Sequence, residues 1–382
     1  MTHIPTDVEK HAVWSAYKQG HPIRVPVTLG ANPRIILLDP SLNPEGWDFQ
    51  RYFHDPRMTL VVQARFQEYQ ATTLSKVSDC DSALPDIWSF AVDNQNIYDA
   101  AYLGAKVEFR SGQVPGTRSP FTIADLDTFL ATDFSDPFRN PWLSERLAFS
   151  QQLVEQAKNF TYLGRQGCIK PFPPDATEGP FTNLVSLFGY EALLLLAEDG
   201  KRASEAMFHI TRAVIRRNQA LADLQGGWHP LDKLGCADDA IQMISTADVE
   251  TYVLPSLHLW YQEMGALDAR RVMHLCGNAT RHFSLLTDRL GVSSFDTGYP
   301  VDFGSLHRTL GPMVEILGGP PVPLLMQGSA EDCAAATSVI LRSGIMEGGR
   351  FILREGNNLP PQAPLANLEA MYHTCLDEGK YE

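Results

Sequence analysis

The chain has 382 residues, 44% hydrophobic and 20% charged, the balance of a globular protein able to build a core without disulfides. Its formal net charge is −14 and its 31 Lys and Arg residues do not cluster, so no basic stripe for nucleic acid is expected. Residues 1–18 carry charges but no apolar h-region. The most apolar stretch, 184–197, is interrupted by Glu191 and too short to span a bilayer, so it is expected to form a buried helix. Cys80, Cys168, Cys236, Cys276, Cys333 and Cys375 are widely spaced with no C-x-x-C pair. They predict reduced thiols in a cytoplasmic protein, most of them core residues and one or two available as ligands.

Up to about Asp136 the chain is rich in Pro, Asp and aromatics, and its periodicity is irregular. A strand is predicted over 24–29, running into the turn Gly30-Ala31-Asn32-Pro33-Arg34. A helical stretch over 96–104 follows, then a second strand over 106–109 and a loop over 137–141. From Ser144 helices alternate with short apolar runs. One such run, 168–172, precedes the loop 173–180. The helix 204–224 aligns Met207, Ile210, Val214, Leu221 and Leu224 on one stripe. Ser245 with Asp248 resembles a capping box opening the helix of Val249, Val253 and Trp260. Four further runs, 271–275, 294–295, 322–326 and 351–353, each end in a polar turn, with helices such as 330–343 between them. Strands alternating with helices predict a parallel sheet with polar residues gathered past the strand ends, the layout of a (β/α)8 barrel enzyme. An open doubly wound sheet is the alternative, but no G-x-G-x-x-G or G-x-x-x-x-G-K-[ST] follows any strand.

His274-Leu275-Cys276-Gly277-Asn278 is the most informative segment. Alternation along a strand sends His274 and Cys276 to the same side, two of the three protein ligands of a catalytic zinc site. A buried Cys beside a hydrogen-bonded core His fits the same pattern. Of Asp238 and Asp239, one is expected to face the pocket as ligand or acid/base and the other to serve a helix start. Asn32 and Arg34 follow the first strand, and Asp93, Asn94 and Asn96 precede the second. Both groups suit a polar substrate, and both suit turns bonded to their own backbone. Glu178 stands at a helix start, Asp296 and Tyr299 follow the sixth run, and Gln327 and Asn357 follow the seventh and eighth. Asn32, Asp239, His274, Asp296, Gln327 and Asn357 are therefore expected to open onto one cavity. H-E-x-x-H and G-x-S-x-G are absent.

Taken in order, Gly179-Pro180-Phe181-Thr182, Gly189-Tyr190-Glu191, Asp238-Asp239, Met243-Ile244-Ser245 and Val253-Leu254-Pro255 form a series. His274-Leu275-Cys276-Gly277-Asn278, Asp296-Thr297-Gly298, Gly318-Gly319 and Gln327-Gly328-Ser329 continue it. Gly348-Gly349-Arg350-Phe351-Ile352-Leu353, Leu359-Pro360-Pro361 and Pro364-Leu365-Ala366-Asn367-Leu368 complete it. Over 24–371 the chain resembles the uroporphyrinogen decarboxylase superfamily. The resemblance implies one (β/α)8 barrel over 24–375 with an irregular N-terminal extension over 1–23, and it adds Tyr190 to the substrate-binding candidates. Decarboxylases of that superfamily clamp several carboxylates with an arginine-rich opening segment, where this chain offers only Arg34. The corrinoid-dependent methyltransferases carry zinc on His-x-Cys and a later Cys before Leu-Pro-Pro. His274 and Cys276 match the first part. Asn357 stands where the later Cys would be, so either the third ligand comes from elsewhere, with Asp239, Glu355 and Cys236 as candidates, or the metal is weak, different or absent. The implied activity is zinc-assisted methyl transfer between a corrinoid, carried on a partner protein, and a thiol or similar small acceptor. The implied alternatives are a metal-free decarboxylase or lyase using Asp239 or Asp93, and a ligand-binding barrel without chemistry. A homodimer is one expected assembly; a membrane is not an expected partner.

Overall fold

The computed structural model describes residues 4–172 and 175–381; Pro173 and Pro174 of the predicted loop 173–180 lie outside the described residues, as do positions 1–3 of the N-terminal stretch. Eleven strands occur among the described residues. In chain order they are β1 (Trp88–Phe90), β2 (Lys106–Glu108), β3 (Gly116–Arg118), β4 (Thr161–Tyr162), β5 (Arg165–Ile169), β6 (Ala176–Thr177), β7 (Leu231–Ala237), β8 (Gly265–Leu275), β9 (Val292–Thr297), β10 (Glu315–Gly318) and β11 (Phe351–Leu353).

The strands β6 to β11 form one parallel sheet in sequence order. Parallel neighbours need crossover helices, and Gly200–Asp223, Leu254–Met264, Phe283–Leu290, Phe303–Leu310 and Ala330–Ile340 supply them. The helix Gly200–Asp223 buries Met207, Ile210, Val214 and Leu221, as its stripe predicts, while Leu224 beyond its end is exposed. Covering helices bury the strands, so Leu234, Met273, Leu275, Phe295, Phe351 and Leu353 show no exposure.

The first half departs from expectation. Over 24–29 there is no continuous strand, only the bridges Arg24↔Lys380 and Val27↔Leu353. Pro26 has no N–H to donate, and the Val27 N–H is taken by Asp79 Oδ2 at 2.7 Å. The segment nonetheless lies along β11, with the Thr28 N–H bonded to the Leu353 carbonyl. The predicted strand 106–109 leaves the main sheet and pairs antiparallel with β3. The run at 168–172 is the end of β5, which pairs with β1 and β4 in a separate three-stranded sheet. Two small clusters, one around Phe49, Tyr52 and Met58 and the other around Trp88, Phe90 and Phe149, give this half its own cores.

Two later expectations also change. The run 322–326 is a helix, Val322–Gln327, opened by proline in its first turn, and the strand before it is β10. The apolar stretch 184–197 is two helices, Pro180–Phe188 and Glu191–Glu198, bent by 116° at Gly189. No single helix among the described residues is long and apolar enough to cross a membrane.

Candidate functional site

The strand ends of β7, β8 and β9 converge on one wall of a cavity of about 870 Å³. Past β7, Asp238 turns inward. It is fully buried and accepts from the Thr182 N–H at 2.7 Å, the Thr182 hydroxyl at 2.8 Å and the Phe181 N–H at 3.3 Å. Burial lifts its pKa to about 7 against those hydrogen bonds. Asp238 thus serves the start of Pro180–Phe188, and Asp239 faces the cavity. The short turn Asp239–Met243 is braced from the loop past β8. His282 Nε2 lies 3.0 Å from the Ile241 carbonyl, and Arg281 donates to the Ile244 carbonyl at 2.9 Å.

Along β8, Met273 and Leu275 pack into the core, so His274 and Cys276 face the cavity. Gly277 ends the strand with φ +72°, and a Cβ there would lie 1.8 Å from Gln242 Oε1. Asp239 Oδ1 accepts the Cys276 N–H at 2.7 Å and lies 3.8 Å from His274 Nε2. The ligand atoms of Asp239, His274 and Cys276 lie within 4.8 Å of one another. In β9, Asp296 is the register partner of His274, and its Oδ2 lies 3.0 Å from Nδ1. Burial alone would depress the His274 pKa. The bonds to Asp296 and Cys276 and the charges of Asp296 and Asp239 outweigh it and raise the value to about 10.

One nitrogen, one sulfur and one carboxylate oxygen make a donor set that zinc accepts, and a carboxylate on the second imidazole nitrogen is the usual support of a zinc-bound histidine. The residues present therefore fit a zinc ion, and Asp239 is the carboxylate placed where a third ligand would stand. Asn357 lines the cavity, but neither Glu355 nor Cys236 joins the cluster. Glu355 is fully buried, receiving Arg354 Nη2 at 2.8 Å and the Gly30 N–H at 2.7 Å. Arg354 also donates to Asp296 Oδ2 at 2.7 Å and so fixes the carboxylate that orients His274.

The lining also carries Arg34, Asn96, Tyr299 and Asn357. Arg34 is the one Lys or Arg in the lining, and no carboxylate among the described residues is within ion-pair distance of it. Its guanidinium is held by neutral acceptors, Nε to Asn32 Oδ1 at 2.9 Å and Nη2 to Gln95 Oε1 at 3.0 Å. Glu178 also lines the cavity. Burial first, then the charges of Asp99 and Asp239, raise its pKa to about 8 against the pull of His274.

Five candidates lie elsewhere. Asn32 holds Arg34 but does not line the cavity. Asp93 and Asn94 line a neighbouring pocket. Gln327 caps off a helix instead of a strand and misses the cavity, and Tyr190 is 73% exposed at the break between two helices. Tyr98, Thr182 and Arg354 were not among the candidates. Only Arg354, directly past β11, carried a positional signal.

The profile of the uroporphyrinogen decarboxylase (URO-D) family matches residues 97–377. The methylcobamide:CoM methyltransferases MtbA of Methanosarcina mazei and Methanosarcina acetivorans are each 29% identical to this chain over 140 residues. That stretch is 37% of this chain and 39% of each relative, so the chain matches less than half the length of these curated relatives. A solved methyltransferase from Methanosarcina mazei has the same α/β fold, with a TM-score of 0.64 over 96% of this chain and 98% of that one at 15% identity. The chain belongs to the uroporphyrinogen decarboxylase family.

Proposed function

We propose that this protein is a methyltransferase that methylates a small thiol, using a corrinoid carried on a partner protein as methyl donor. The convergence of Asp239, His274 and Cys276 at the cavity wall carries the proposal. The likeness to the MtbA methyltransferases supports the same class of reaction. The same reading takes residues 24–375 as one (β/α)8 barrel, residues 1–23 as an extension, and the cytoplasm as its compartment.

His274 Nε2, Cys276 Sγ and an Asp239 oxygen would hold the zinc. When bound, the metal supplies a Lewis acid that lets a thiol ionise at neutral pH instead of near its free pKa of ~8.5. Asp296 holds a proton on His274 Nδ1, so Nε2 is the nitrogen that would give up its proton to bind the zinc, and Arg354 holds Asp296 in place. Arg34 attracts an anionic group on the acceptor and so orients it within the cavity. The S–C bond forms as the donor's methyl bond breaks, and the thiol proton leaves to solvent. Arg34, the one Lys or Arg among the described lining residues, is too little to clamp a polycarboxylate substrate, which argues against the decarboxylase alternative.

The test is methyl transfer from methylcobalamin to simple thiols by wild type, Cys276→Ser and Asp239→Asn. Both substitutions should abolish transfer and leave the fold intact, since one altered polar side chain costs far less than total stability. Full activity in zinc-free wild type would overturn the proposal. Methyl transfer kept in Cys276→Ser and lost in Asp239→Asn would mean that the carboxylate, and not a metal held by Cys276, carries the reaction.

A further inference from the structure

Beside the main cavity lies a second pocket of about 240 Å³, and Tyr98 and Ala176 line both. Its walls are apolar and largely aromatic, formed by Trp142, Phe172, Leu143 and Leu221. Its polar lining is Arg217, Asn218 and the segment Asp93-Asn94-Gln95, whose Asp93 and Asn94 the sequence singles out and which is absent from the main cavity. This segment is shaped with care. Gln95 holds a left-handed backbone at φ +48°, a conformation costly for a residue with a side chain. In that position its N–H reaches Asp93 Oδ1 at 2.9 Å and its Nε2 reaches Asp93 Oδ2 at 2.7 Å. Its Oε1 takes Arg34 Nη2 at 3.0 Å. The one side chain therefore ties the anion-facing arginine of the main cavity to the edge of the side pocket. Tyr98, between the two spaces, is fixed by the Arg217 guanidinium 5.3 Å from its ring, and Arg217 is itself paired with Asp99 at 2.7 Å.

We infer that the side pocket is a binding subsite for an aromatic ring bearing a hydroxyl group. A cavity of roughly 150 Å³ lined by apolar side chains is known to hold benzene, so the volume here accommodates such a ring and a substituent. The rings of Trp142, Phe172 and Tyr98 offer edge and face contacts that favour an aromatic occupant over an aliphatic one. Asp93 Oδ1 accepts the Gln95 N–H and keeps a second lone pair for a hydroxyl donor. The pockets share Tyr98 and Ala176, which sets the ring beside the main cavity. That the ring belongs to the acceptor of the transfer rests on the function proposed above.

The probe is 4-fluorophenol, followed by fluorine NMR, with fluorobenzene as the comparison. Wild type is expected to bind 4-fluorophenol saturably with a Kd of about 1 mM, the level reachable by a ligand of so few heavy atoms. Fluorobenzene should bind more weakly. Ala176→Phe, which fills the pocket from an exposed strand position, and Trp142→Leu, which removes a ring wall, should each weaken 4-fluorophenol by about 5-fold or more. Zinc affinity measured on the same samples separates the two ideas. Fluorophenol binding without zinc binding leaves the subsite standing and removes the metal. Zinc binding with no saturable fluorophenol binding, or with a Kd equal in all three proteins, overturns the subsite.

Discussion

The cavity's two walls are built by different means. The ionisable wall stands on ladder-paired strands: Ala237 is the register partner of His274, and His274 of Asp296, so backbone hydrogen bonds fix three strand ends before any side chain is placed. The rest of the lining is assembled from short helices and loops, with Arg34 opening the helix Arg34–Leu38, Asn96 in the turn Gln95–Ile97, and Tyr299 and Asn357 on loops past β9 and β11. A donor set that must meet within a few ångströms gains from the rigid side. Recognition tolerates the looser one, which can vary without disturbing the sheet.

Substitutions on the two walls should therefore fail differently. The largest effect is expected on the strand wall. Asp296→Asn removes the carboxylate that orients His274 and leaves Arg354 without that ion pair. Zinc affinity should fall about 10- to 100-fold, measured by competition with a chelator. Unchanged affinity would mean that Asp296 does not position the imidazole. On the loop wall, Arg34→Gln should raise KM for an anionic thiol by about 10-fold and leave kcat nearly unchanged, since it removes a charge-assisted contact made equally in ground and transition states. A matching fall in kcat would move Arg34 from recognition into the chemistry.

The smallest effect concerns the brace beneath Asp239. Burial, then the charge of Arg281, lower the His282 pKa to about 4. An unfolded histidine takes up its proton near ~6.5 and the folded one only near 4, so the unfolded chain holds more protons between those values. Stability contributed by neutral His282 is present above pH ~6.5 and is lost as pH falls toward 4. Urea midpoints of His282→Asn should decline less across that window than those of wild type. Parallel declines would show that His282 is not the titrating group.

Much of the strand wall was legible because period-two alternation and a terminal glycine mark a strand end unambiguously, as at His274-Leu275-Cys276-Gly277. The split between Asp238 and Asp239 was legible too, since adjacent residues at a strand end cannot face the same way. Away from the strand ends the candidates divide: Arg34, Asn96, Tyr299 and Asn357 reach the cavity, whereas Asn32, Asp93, Asn94, Gln327 and Tyr190 do not. A run of five apolar residues fits a strand or a helix turn, and at 322–326 the prolines decided for the helix, taking Gln327 out of the site. Tyr190 belongs to a family motif, yet the bend at Gly189 leaves it in solvent. The position of Arg354 and Glu355 past β11 was visible, but their burial as a pair was not, because burying two charges is tolerated only through partners brought from Gly30 and Asp296 by the fold.

The central claim is that Asp239 takes the place of the missing third cysteine. Its most direct measurement is the zinc content and affinity of protein purified without a metal-binding tag, as wild type, Asp239→Asn and Asn357→Cys. Wild type should hold one zinc per chain, Asp239→Asn should lose it, and Asn357→Cys should bind it more tightly. Zinc-free wild type, or an Asp239→Asn variant that binds zinc as tightly as wild type, would contradict the account.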